Sequence, residues 1–206
     1  MEGFKDIIAT SASICTILQF FTGILVCQKY VQNGTTGDSS PLPFVAGFLS
    51  SCMWLRYGFL LQDSSLIIVN TIGAALQLAY VITFYFYTIT KSAVVKQMLG
   101  VIVALVVMLC YTQYESDLEQ AKIYIGFVAS LMTILFFAAP LTMLAHVLSV
   151  KNCDSLPLPI ILATFVCSIQ WLIYGYILSD PFIQVPNLLG TLISAFELSL
   201  FLIYPS

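Results

Sequence analysis

Charge is what this chain has least of. Its 206 residues include 7 Lys and Arg, 10 Asp and Glu and a single His. Charged residues make up about a quarter of an average soluble domain, and the 8% found here argues against an ordinary water-facing fold. The net charge of −3, with no basic cluster, gives no reason to expect a nucleic-acid partner. Cysteines stand at Cys15, Cys27, Cys52, Cys110, Cys153 and Cys167, with no Cys-x-x-Cys or Cys/His spacing. Five of the six lie in or at the edge of apolar runs, where cysteine acts as a small hydrophobe, so no metal site is expected. There is no ATP motif, no cation-binding acid cluster, no cofactor signature and no nucleophile–base pair, so neither a cofactor nor an enzyme is expected. The first apolar run lacks a basic leader and a small-residue cleavage site, and it is read as a retained helix.

What the chain does have is length in apolar runs. Hydrophobic residues make up 60% of it, and the mean hydropathy is +0.99. Crossing a hydrocarbon layer of roughly 30 Å takes about 20 apolar residues at 1.5 Å each. Seven such spans are expected, at about 7–27, 41–61, 66–88, 96–114, 122–147, 157–178 and 182–204. The fold class is therefore an all-α polytopic membrane protein with seven transmembrane helices.

Two segments repeat each other. WLRYGFLLQDSSLIIVN runs from Trp54 to Asn70, and WLIYGYILSDPFIQVPN from Trp171 to Asn187. At a constant offset of 117 residues they share Trp, Leu, Tyr, Gly, Leu, Asp and Asn. Further matches are Asp38-Ser39 with Asp154-Ser155, Pro41-Leu42-Pro43 with Pro157-Leu158-Pro159, and Gly73 with Gly190. Each copy holds three spans, an odd number, so a fourth span between the copies is needed to keep them parallel. The span at 96–114 has no counterpart and fills that place. The expected organisation is a first triple-helix bundle at 1–90, a linker helix with its loops at 91–121, and a second bundle at 122–206. A pseudo-twofold axis along the membrane normal should relate the bundles.

Basic residues set an expected orientation. Lys29, Lys91, Lys96 and Lys151 fall on one set of loops, and Lys5, Arg56 and Lys122 on the other. The positive-inside rule then puts the N-terminus outside and the C-terminus in the cytosol. The Asn33-Gly34-Thr35 sequon would face the cytosol and stay bare.

Tryptophan in membrane proteins usually marks the interface. Trp54 follows Pro43 by 11 residues, and Trp171 follows Pro159 by 12. At 1.5 Å per residue both lie roughly 16 Å or more into their spans, near the midplane. Asn70 and Asn187 each lie seven residues past an aspartate, Asp63 or Asp180, at a similar depth on the returning helix. A lone buried Asn can be packing glue between helices. Two symmetric Trp–Asn pairs point instead to a central binding site. An amide offers donors and acceptors to neighbouring hydroxyls, and an indole offers a flat face for the C–H side of a pyranose. No acid or base is expected at that depth in these pairs, so the chemistry reads as a neutral sugar.

On these residues the chain resembles the SWEET family of sugar transporters, and its animal members in particular. The resemblance is carried by Trp171, Tyr174, Gly175, Asp180, Pro181, Phe182, Pro186 and Asn187, and by Trp54, Tyr57, Gly58, Asp63, Asn70 and Gly73 in the first half. It implies a facilitative uniporter whose two bundles rock around one pocket containing Asn70, Asn187 and Trp171. Trp54 stands where plant members often have a smaller residue, which implies a narrower pocket and a monosaccharide such as glucose. The resemblance further implies an extracellular gate of Tyr57, Gly58, Tyr174 and Asp180, with Gly126 near them. It implies hinge prolines at Pro43, Pro140 and Pro159, and at the first-span place Gly23 departs from the pattern. A plasma-membrane location is implied, with Golgi or another endomembrane as the alternative, and homo-oligomers are compatible with it. Glu197, inside the last span, is costly there unless paired or protonated, and hints at proton binding. His146, beside Lys151, reads as a surface residue. The rival readings are a proton-coupled PQ-loop transporter of an amino acid and a non-transporting trafficking receptor. Against the first, Pro41-Leu42 and Pro157-Leu158 stand where Pro-Gln pairs are expected.

Overall fold

In hydrocarbon each backbone N–H and C=O must find its partner within the chain, so apolar runs of this length form helices. The computed structural model describes residues 2–153 and 156–204. Among them the elements are α1 (Glu2–Asn33), α2 (Leu42–Leu61), α3 (Ser64–Tyr87), α4 (Lys91–Tyr114), α5 (Leu118–Phe136), α6 (Ala138–Val150), α7 (Leu158–Leu178) and α8 (Pro181–Ile203), with no strand. The Asp154-Ser155 half of one repeat match lies outside the described residues.

Seven stretches are long and apolar enough to cross a membrane, because α5 and α6 form one span, Leu118–Val150. This is a multi-pass membrane protein. The expected spans are met, with differences: α4 begins at Lys91 and the fifth span runs Leu118–Val150, both past the expected bounds. Helix α1 extends past the expected 7–27 at both ends, since helical hydrogen bonding continues through polar residues at the interface. The fifth span is interrupted at Phe137, three residues before Pro140. Proline lacks the N–H that would bond the Phe136 carbonyl, and its ring crowds that carbonyl.

The chain forms two compact units, one of Thr16–Gly126 and one of the described residues up to Cys15 and from Phe127 onward. The core of the first is Tyr30, Val45, Val81, Phe84, Val94 and Val101, with the Tyr30 and Phe84 rings edge to face at 5.6 Å. Arg56 is held on α4, its Nε donating to Thr112 Oγ1 at 3.1 Å. In the second unit Leu144, Val147, Cys153, Leu156, Ile161 and Leu200 cluster.

The same three-residue contact recurs in each unit. A Cβ on Gly73 would meet the Phe20 ring at 2.6 Å and Ser51 Oγ at 2.9 Å. A Cβ on Gly190 would meet Ser168 Oγ at 2.8 Å and the Phe137 ring at 3.1 Å. Phe20, Ser51 and Gly73 stand at the repeat offset from Phe137, Ser168 and Gly190. Each glycine lets its helix approach a phenylalanine on the first span of its repeat.

Gly23 has its own reason. Helix α1 runs unbroken through it, and a Cβ there would collide with the Tyr80 ring. The Tyr80 hydroxyl donates to the Phe20 carbonyl at 2.8 Å. Gly23 therefore admits an aromatic ring against α1, whereas its repeat counterpart Pro140 accompanies a break.

Candidate functional site

The two repeated segments, Trp54–Asn70 and Trp171–Asn187, fold as two helical hairpins of the same design. In the first, α2 ends at Leu61 and Gln62 takes the left-handed conformation, φ 56°. Its N–H bonds the Phe59 carbonyl at 3.2 Å, and the Asp63 N–H reaches back to the Gly58 carbonyl at 3.0 Å. In the second, Ser179 takes φ 54°. The Ser179 N–H bonds Tyr176 at 3.1 Å and the Asp180 N–H bonds Gly175 at 2.9 Å. This is the Schellman arrangement, which satisfies the last carbonyls of a helix. Here the left-handed place holds Gln and Ser instead of glycine, at a cost of about 1–2 kcal/mol each.

Each aspartate then starts the next helix. Asp63 Oδ1 accepts from the Leu66 N–H at 2.9 Å. Asp180 Oδ1 accepts from Phe182 at 2.9 Å and Ile183 at 3.2 Å. A carboxylate there also favours the positive end of the helix dipole. Gly58 and Gly175 keep the hairpins tight: a Cβ on Gly58 would meet Leu66 Cβ at 3.0 Å, and one on Gly175 the Gln184 N at 3.1 Å. Gln184 Nε2 also donates to the Gly175 carbonyl at 3.0 Å. Two of the expected gate residues, Gly58 and Asp180, thus build the turns, together with Gly175 and Asp63 of the shared motif.

The tryptophans and asparagines hang from these turns at matched depth. Trp54 lies seven residues before the end of α2 and Asn70 six after the start of α3. Trp171 and Asn187 stand in the same places on α7 and α8. At 1.5 Å per residue, all four are about 10 Å from their turn. Trp54 packs edge to face on Tyr57 at 5.7 Å and 77°, and Trp171 on Tyr174 at 5.6 Å and 79°. Tyr57 and Tyr174 are each only 2% exposed, so both rings are fixed supports for an indole.

Both amides are pinned alike. Asn70 Nδ2 donates to the Leu66 carbonyl at 2.9 Å, and Asn187 Nδ2 to the Ile183 carbonyl at 2.8 Å. One N–H thus fixes the rotamer, and each amide has an oxygen and a second N–H besides. The proline before Asn187, Pro186, is buried inside α8 and removes the N–H that would bond the Phe182 carbonyl.

Other expected residues fall as follows. Gly126 is buried on α5, the last residue of its unit. Pro43 and Pro159 occupy the second position of α2 and α7. There the N–H has no intrahelical partner to lose, so these prolines start helices and interrupt none. Glu197 is buried, 6% exposed, and among the described residues no hydrogen bond to its carboxylate occurs. His146 is exposed. Sequence reasoning passed over Gln184, the left-handed Gln62 and Ser179, and three residues around Trp171 (Lys5, Ser11 and Gln170). No spacing signalled Lys5, Ser11 or Gln170, because their contacts are distant in sequence; Gln62 and Ser179 gave no signal because the left-handed place usually holds glycine.

Comparison with known proteins agrees with the repeat. The family of sugar efflux transporters for intercellular exchange matches twice, at residues 6–92 and 123–206, leaving the fourth span unmatched. The chain is 47% identical to the sugar transporter SWEET1 of Drosophila pseudoobscura pseudoobscura, over 97% of this chain and 89% of that protein. It is 35% identical to the sugar transporter SWEET1 of Mus musculus, over 98% and 93%. The solved structure of a eukaryotic SWEET transporter superposes with a TM-score of 0.81 at 26% identity, covering 98% of both chains. A family match to both halves, on either side of one unmatched helix, makes this seven-span chain a member of the SWEET family.

Proposed function

We propose that this protein carries a monosaccharide, glucose or a related hexose, across the membrane down its gradient by alternating access. The observation that carries the reading is the Trp–Asn pair written twice, each Trp on a buried Tyr and each Asn pinned through one N–H. A pinned amide has little rotamer entropy left to lose when it binds hydroxyls, and a supported indole can stack on a pyranose. Trp54 and Asn70 from one repeat and Trp171 and Asn187 from the other act on the same sugar. Tyr57, Gly58, Tyr174 and Asp180, with Gly126, form the extracellular gate, and the Pro140 break lets the fifth span bend. The two repeats, 1–90 and 122–206, are the moving bodies, with 91–121 joining them. The relatives named above are sugar transporters, which supports the substrate class. The membrane is the plasma membrane, with the N-terminus outside.

The test is labelled glucose flux into proteoliposomes, with and without a proton gradient. Saturable flux indifferent to the gradient, and reduced more than tenfold in Asn187→Ala and Trp171→Ala, is the expected result. Normal flux in both variants would remove these residues from the site. Buried Glu197 supports a second reading, proton coupling. Flux that requires the gradient and disappears in Glu197→Gln would select it.

A further inference from the structure

The N-terminal half of α1 touches α7 on either side of Trp171. Gln170 Nε2 donates to Ser11 Oγ at 2.6 Å, across 159 residues of chain. One turn further along α7, Lys5 Nζ stands over the Tyr174 ring at 6.0 Å, and Tyr174 is the ring that supports Trp171. Going from Lys5 to Ser11 moves the partner back from Tyr174 to Gln170, so the two helices run antiparallel through the contact. Lys5 and Ser11 belong to the first repeat, Gln170 and Tyr174 to the second.

We infer that the Ser11–Gln170 hydrogen bond, at the depth of Trp171, with Lys5 on Tyr174 nearer the N-terminal face, is a latch that holds the start of α1, from the first repeat, on α7 of the second and opens to admit sugar from that side. The inference rests on the alternating-access reading, in which the repeats part at one face at a time. On that reading the contact breaks once per cycle as the start of α1 leaves α7, with which it packs in one unit. Gln170 is built for such breaking: its Oε1 is buried with no partner, so opening the latch hydrates an acceptor that the closed form leaves unsatisfied. Ser11 and Gln170 also lack an equivalent pair. The residues at the repeat offset are Val128 and Met53, which cannot hydrogen-bond, and Lys122, the counterpart of Lys5, is paired with Glu119 at 2.8 Å. The device is therefore single, running from Lys5 near the start of α1 to Ser11 beside the second-repeat indole. Ser11 and Gln170 are positioning residues, acting through the segment that holds Trp171.

The experiment places Ser11→Cys and Gln170→Cys in a chain whose native cysteines are replaced, and joins them with a short bifunctional thiol reagent. In proteoliposomes, glucose flux should fall at least tenfold on cross-linking and return on reduction, while each single variant is untouched by the reagent. A second measurement covers loss of folding in that background. Ser11→Ala and Gln170→Met in the otherwise native chain should lower KM for sugar presented at the N-terminal face by about threefold, since a weaker latch raises the fraction open there. Ser11→Thr, which keeps the hydroxyl, should leave both faces' KM as they are. Flux that survives cross-linking, or a loss of maximal rate with both KM values unchanged, overturns the latch and leaves the transport reading standing. Absence of saturable flux in the unmodified protein overturns both.

Discussion

The backbone N–H of Asp180 reaches back to the Gly175 carbonyl at 2.9 Å, and that of Asp63 to Gly58 at 3.0 Å. In each copy, one residue pair closes the end of one helix while the aspartate side chain opens the next. The Gly-x4-Asp spacing therefore has a structural reason independent of gating, and substitutions can separate the two roles.

Asp180→Asn keeps an acceptor at the cap, so its thermal midpoint should stay near that of the parent protein. Asp180→Ala should lose about 1–2 kcal/mol of stability, because two N–H groups lose their acceptor. Thermal unfolding in detergent reads the cap. Flux reads the gate: a flux defect in Asp180→Asn with an unchanged midpoint would assign the carboxylate a gating role beyond the cap.

Gly23→Ala drives a methyl into the Tyr80 ring. Overpacking of this kind costs about 1–3 kcal/mol, and the Tyr80 hydroxyl is drawn from the Phe20 carbonyl it bonds. The expected result is a lower thermal midpoint, and a smaller loss from Gly23→Ala when it is measured in a Tyr80→Ala background, where the ring is gone. An equal loss in both backgrounds would show that the ring is not the obstacle.

Pro140→Ala restores an N–H to a span broken at Phe137. A helix gains up to about 3 kcal/mol when an interior proline is removed, so the thermal midpoint should rise. If bending at this break belongs to the transport cycle, maximal flux should fall as the midpoint rises. A stabilised variant with undiminished flux would take the hinge role from Pro140.

Trp54 is the proposed limit on sugar size. Trp54→Ser exchanges a large indole on a fixed Tyr57 support for a side chain that leaves most of that volume empty. Disaccharide flux should appear while glucose KM rises, because a stacking face is lost; such a contact is worth on the order of 1 kcal/mol, about fivefold. Disaccharide flux no greater in the variant than in the parent would place the size limit elsewhere.

Much of this architecture was legible in residues alone. Seven apolar runs follow from the energetics of backbone in lipid, and helix ends followed the prolines and aspartates: Pro41 and Pro157 cap α2 and α7, Asp63 and Asp180 cap α3 and α8. The offset that aligned Trp54 with Trp171 also aligned Phe20, Ser51 and Gly73 with their counterparts, although that packing was not foreseen. Pro43 and Pro159 stand at the second position of their helices, where no intrahelical bond is lost, while Pro140 stands beside a break, because a proline's effect depends on whether its N–H would have had a partner.

What the sequence determined by itself is the set of spans, their repeat and the identity of the Trp–Asn pairs, since all three rest on local composition and fixed spacing. Only tertiary structure decided which side chains support them. Tyr80 fills the space of Gly23, Gln184 braces Gly175, and Ser11 holds Gln170 from 159 residues away. Contacts of that kind depend on which helix faces meet, and helix faces meet through packing summed over the whole unit, a quantity no short stretch of sequence contains.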